Sequence, residues 1–103
     1  MAREWRYASI QAIKDANRRA GETWFSLETM RFFNSRVHGR VIAGRFFVTS
    51  EDSFDRSERR YTVREALPSG RIQTVGEFLE HETLQRAVDT AWAIANEQDG
   101  VLS

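Results

Sequence analysis

The chain has 103 residues, no cysteine and a formal net charge of zero, which excludes disulfides and thiolate metal sites as supports of the fold. No run of about eighteen apolar residues occurs, so a membrane-spanning helix is excluded as well. Met1 to Trp5 lack the apolar stretch of a signal peptide, and a cytoplasmic protein is expected.

A chain of this length buries roughly two-thirds of its unfolded surface on folding, enough for one core. The whole of 1–103 therefore reads as a single domain, with an ordered core over about 5–97. Seven Phe, three Trp and two Tyr give that core bulky anchors.

In chain order, Ser9 is placed to cap a first helix, since its hydroxyl can accept from first-turn amides that have no helical partner. Ile10, Ile13, Ala16, Asn17 and Ala20 follow at helical spacing, and Arg18-Arg19-Gly21 supply cations and then a glycine stop. The spacing predicts a helix over about 9–20. Ser26 can cap a second, two-turn helix ending near Asn34, with Glu28 in its first turn. Trp24, Phe25, Met30 and Phe33 are too apolar for a free loop and read as a plug beneath a sheet.

From residue 36 the period changes from helical to alternating. Arg36-Val37-His38 is a short candidate strand, and Gly44–Ser50, Tyr61–Leu67 and Arg71–Leu79 read as three full strands. Glu51–Arg59 reads as a charged, mobile loop and Pro68-Ser69-Gly70 as a tight turn. Thr83 caps a last helix to about Asn96, with Leu84, Ala87, Val88, Ala91, Trp92 and Ala95 as its apolar stripe; Asp99–Ser103 reads as a frayed tail. The class is α+β, in the order α-(α)-β-β-β-α: a three-stranded antiparallel meander with helices packed mainly on one face.

Charge is unevenly spread. Fourteen of the fifteen basic residues are Arg, a bias expected either from a GC-rich coding sequence or from a use for planar, always-charged forks that suit phosphate, carboxylate or aromatic partners. Residues 31–71 hold nine Arg against five acids, whereas 72–103 hold Arg86 alone against six. A basic centre thus precedes an acidic end.

Alternation assigns Phe46, Val48, Tyr61, Val63, Ile72 and Thr74 to the core face. The opposite face then carries Arg45, Phe47, Thr49, Thr62, Arg64 and Arg71, with Gln73, Val75 and Glu77. If one face is open, its arginines and exposed Phe47 form a contact surface; otherwise the Arg stems cover apolar neighbours and keep hydrated heads.

Catalytic chemistry finds no support. His38 and Glu80-His81-Glu82 offer no converging ligand set for zinc, no G-x-S-x-G elbow is present, and no phosphate loop ends in Lys-Ser/Thr. Nothing calls for a cofactor. The α-β-β-β-α order resembles that of double-stranded-RNA-binding domains, but the last helix carries a single Arg among acids and would repel phosphates. A different nucleic-acid surface, with Arg45, Arg64 and Arg71 around Phe47, stays open.

The ordered set TMRFFNSR (29–36), FVTSE (47–51), RYTVR (60–64) and TVGEF (74–78) resembles a family of short proteins of unknown function from bacteria and their phages. The resemblance spans about 9–95. It implies a phage or mobile-element context and no particular reaction, and it draws attention to Arg31, Arg36 and Arg64. The reading that follows is a non-catalytic binding module with a macromolecular partner, foremost a protein. Direct nucleic-acid binding is the alternative and a small enzyme the third; the opposed charges also permit homo-oligomers. The candidate binding residues are Arg31, Arg36, Arg45, Phe47, Arg64 and Arg71.

Overall fold

Both serine caps form as their positions predict. Ser9 Oγ accepts from Ala12 N at 3.1 Å and opens α1 (Ile10–Arg19), which Gly21 ends at φ 80°. Ser26 Oγ accepts from Thr29 N at 3.2 Å at the start of α2 (Leu27–Phe32). These details come from a computed structural model of the chain, which describes residues 6–53, 55 and 57–100, the last two as backbone alone. Four strands follow, β1 (Arg36–Ile42), β2 (Phe46–Asp52), β3 (Arg59–Ala66) and β4 (Ile72–Val75), and then α3 (Leu84–Gly100). All neighbours pair antiparallel in the order β1-β2-β3-β4.

The α+β class therefore holds, but the meander has four strands rather than three. Arg36-Val37-His38 is the first half of a full strand, because Gly39 does not end it. At φ 68° Gly39 sits where the β1–β2 register shifts, between His38 and Ile42. Such a bulge bends a strand without stopping it. The expected loop after Ser50 is correspondingly shorter, with β2 running to Asp52 and β3 starting at Arg59; Phe54 and Arg56 lie outside the described residues.

The second correction concerns the faces. Helices cover both sides of the sheet, not mainly one. On one side Ala87, Ala91 and Ala95 of α3 pack on Ile42, Phe46, Val48 and Val63. Three alanines one turn apart bring the helix close to the sheet, where bulkier residues would overfill the gap. On the other side Ile13 of α1 meets Phe47 and Ala66, with Ile10, Trp24 and Phe25 closing the cluster. Trp24 meets Phe47 edge-on at 5.8 Å, a contact worth about 0.5–1.5 kcal/mol beyond burial. Phe47 and Arg45 are thus fully buried and present no contact surface.

Parity is inverted in β4. Ile72 pairs with Ala66 and packs on the Phe47 side, while Val75 pairs with Val63 and faces α3. The turn through Pro68-Ser69-Gly70 decides this, since Leu67 N donates to Arg71 O at 2.9 Å and sets the first pair beyond it. β4 also stops at Val75 instead of Leu79: Gly76 and Leu79 take φ of 77° and 63°, and the chain turns. Tyr61 and His81 then exchange backbone hydrogen bonds at 2.9 and 3.0 Å, which leads the chain into α3. Thr83 Oγ1 accepts from Arg86 N at 3.2 Å, the expected cap.

Two members of the expected α3 stripe, Leu84 and Trp92, lie outside it and are exposed, Trp92 by 47%. The helix continues past Asn96 to Gly100, so only 101–103 of the expected tail, like residue 5 of the expected core, lie outside the described residues. Among the described residues no helix is long and apolar enough to cross a membrane.

Candidate binding cleft

α1 covers only part of the Phe47 side of the sheet. Beyond Trp24 an open cleft of about 600 Å³ remains, walled by Trp24, Met30 and Phe32 on one side and by Thr74 and Phe78 on the other, with Arg64 also lining it. Phe33 and Phe78 meet at 5.2 Å. On α2, Phe32 of the cleft wall is 70% exposed, and Leu27 at the start of the helix is 73% exposed.

Arg64 comes from the middle of β3, directly across from Phe47 on β2 and Thr74 on β4. Only 8% of it is exposed. Its Nε donates to Thr49 Oγ1 at 3.1 Å, Nη1 donates to Thr74 Oγ1, and Nη2 donates to Glu51 Oε2 at 3.3 Å. Glu51 is fully buried beside it and accepts from Thr62 Oγ1 at 3.0 Å. The guanidinium carbon lies 5.3 Å from the Trp24 ring and 5.4 Å from the Phe78 ring, a distance at which ring faces attract cations. Burial pushes the Arg64 pKa below its ordinary value, and Glu51 works in the opposite direction.

The other arginines proposed from sequence lie apart from this group. Arg45 is buried and ties the strands to the end of α3, donating from Nη2 to Gln98 Oε1 at 2.9 Å and lying 3.5 Å from Glu65. Arg71 is exposed and pairs with Glu22 of the α1–α2 connection at 3.4 Å. Arg31 on α2 and Arg36 on the edge strand β1 are exposed. Of the six, only Arg64 lines the cleft.

Sequence reasoning placed Thr49, Thr62 and Arg64 on one face but missed Glu51, Trp24 and Phe78 as their partners. The i, i+2 run Thr49-Glu51 opposite Thr62-Arg64 was the available signal, obscured by assigning Glu51 to a loop. Trp24 and Phe78 come from connections, where no period governs direction.

A second polar group lies on the α3 side. His38 Nε2 is 2.6 Å from Ser50 Oγ, and Arg59 Nη1 donates to the same oxygen at 2.6 Å. A Ser–His contact can activate a nucleophile. Here Ser50 is fully buried, and Arg59 also holds Asn34 O at 2.8 Å. The group therefore ties the end of α2 to three strands and offers no space for a substrate. Burial, then Arg59 and Arg36, lower the His38 pKa, so the imidazole is neutral at pH 7. Among the described residues no three His, Asp or Glu side chains could together hold a metal ion.

A model of a family of unknown function (DUF7447) matches residues 9–91. The chain belongs to this family. The matched stretch contains every residue that lines the cleft. No curated protein and no solved structure matches the chain.

Proposed function

We propose that this member of the family is a non-catalytic binding module that seats a segment of a protein partner in the cleft beside α2. The observation that carries this reading is an open aromatic cleft whose α2 wall presents Phe32, a side chain 70% exposed. Aromatic, well-packed pockets are where protein contacts concentrate their energy. The motif resemblance supports a cytoplasmic accessory role of the phage or mobile-element type. Direct nucleic-acid binding through an Arg and aromatic sheet face loses its surface, since Arg45 and Phe47 are buried. The exposed Arg31 and Arg36 are the cations left for it near α2.

The test is affinity capture from the native host with and without nuclease, using wild type, Phe32→Asp and Trp92→Asp. A partner that survives nuclease, is lost with Phe32→Asp and is kept with Trp92→Asp supports the reading. A partner lost on nuclease treatment, or indifferent to Phe32→Asp, sinks it.

A further inference from the structure

The geometry points to a carboxylate as the group that Arg64 receives, carried beside a bulky apolar side chain on an acidic, aromatic segment of the partner protein. This rests on the reading of the cleft as a protein-binding site and names what the cleft selects.

A guanidinium has five N–H groups in a fixed plane. Thr49, Thr74 and Glu51 take three of those on Arg64. One hydrogen on each Nη has no acceptor among the described residues. Arg64 is more than nine-tenths buried, yet it lines the cleft. Donors this deep in a cleft have restricted access to water, and a ligand that matches both gains two charge-assisted hydrogen bonds.

The charge is also incompletely answered. Glu51 stands off at 3.3 Å, longer than the roughly 2.7–2.9 Å of a charge-assisted hydrogen bond. Desolvation outweighs Glu51 in its effect on the Arg64 pKa, so a further anion at this guanidinium is favoured. Paired oxygens of a carboxylate suit paired N–H groups, one on each Nη.

The walls select the rest of the ligand. Trp24 and Phe78 flank the guanidinium, and Met30 and Phe32 continue the apolar surface outward. A lone acid would leave that surface wet, whereas a neighbouring aromatic or large aliphatic side chain covers it. The cleft's remaining charged lining residue is Glu28. Among the described residues no second cation lines the cleft, whereas a run of phosphodiesters needs several; a single carboxylate needs only the one guanidinium.

The experiment is a titration of the ¹⁵N-labelled chain with 3-phenylpropionate and with its neutral amide, followed by acetylated Phe-Glu and Phe-Gln amides. The carboxylates are expected to shift the Trp24 indole and Arg64 Nε–H resonances saturably, with the neutral partners about tenfold weaker. Glu28→Gln, an exposed change that spares the fold, is expected to tighten carboxylate binding about threefold at low salt. Because Arg64→Gln alone strands Glu51, it is made together with Glu51→Gln, and carboxylate preference is expected to vanish. Equal binding of acid and amide overturns the inference, as does an absence of cleft shifts at millimolar ligand. A captured partner that depends on Phe32, with no preference for the acid, overturns it while leaving the protein-binding reading intact.

Discussion

Glu51 and Arg64 escape recognition as a pair when Glu51 is assigned to a loop, but the structure makes each depend on the other. Glu51 has no solvent contact, and its two oxygens meet Thr62 and Arg64. Removing one member of a buried ion pair typically costs about 3–5 kcal/mol, because the other is left uncompensated. Glu51→Gln keeps the shape and the Thr62 contact, so a loss of about 3 kcal/mol in urea denaturation is expected; the double change with Arg64→Gln should recover part of it. His38 sets a pH dependence. Its folded-state pKa lies below the ordinary 6.5, through burial, Arg59 and Arg36, with Glu51 opposing them. Below that value the unfolded chain binds more protons than the folded one. The contribution is therefore complete above pH 6.5 and declines as pH falls from there through the folded value. Urea midpoints at pH 7.5 and 5.5 should fall more for wild type than for His38→Asn. Asp55, exposed in the β2–β3 loop, is held down to about 2 by hydrogen bonds from Ser57 and Ser53. An NMR titration should find its carboxylate still ionised at pH 3, and Ser57→Ala should raise its midpoint.

At the scale of elements, α1 is fastened to the β3–β4 turn as well as packed on the strands. Asn17 Nδ2 donates to Gly70 O at 2.8 Å in a buried contact. Gly70 itself has φ 93°, and a Cβ there would lie 2.4 Å from Ala16 O. Gly70→Ala combines a left-handed backbone, about 1–2 kcal/mol for an alanine, with a collision against main chain that cannot yield. A calorimetric loss larger than that backbone penalty alone is expected, and a neutral result would contradict the close approach. The caps and extents of α1 and α2 were legible because Ser9 and Ser26 stand before clear helical periods. β2 and β3 were legible because their alternation is strong. β1 and β4 were not: Gly39 imitates a terminator while serving as a bulge, and the turn after Leu67 sets a parity that β4 alone does not declare. Ala87, Ala91 and Ala95 were read correctly as a face. Leu84 and Trp92 were drawn into it because one helix turn separates inside from edge. Ala91→Leu should cost about 1–3 kcal/mol by overfilling the α3 seam.

At the scale of the whole molecule, composition excluded more than it assigned. Zero net charge conceals a basic middle and an acidic end, yet much of the basic middle is spent internally, with Arg45 and Arg64 buried and Arg59 and Arg60 in contacts with neighbouring carbonyls. The open sheet face expected from alternation was lost because alternation cannot say how many helices exist to cover a sheet. The cleft survived that correction in another form, since two helical segments do not cover the second face completely. With a sequence pI near 6.7 and exposed Leu27, Phe32 and Trp92, solubility should reach its minimum near that pH. Precipitation by polyethylene glycol across pH 5–9 checks this, and Phe32→Asp should flatten the minimum.

The contact between Trp24 and Arg64 has an optical consequence. An indole with a guanidinium 5.3 Å from its ring emits in a field that changes whenever an anion neutralises that charge. Of the two other tryptophans, Trp92 lies on the far helix and is silenced by Trp92→Phe, and Trp5 by Trp5→Phe. The chain so simplified carries its own fluorophore at the cleft, and occupancy can be read by emission wavelength without any label.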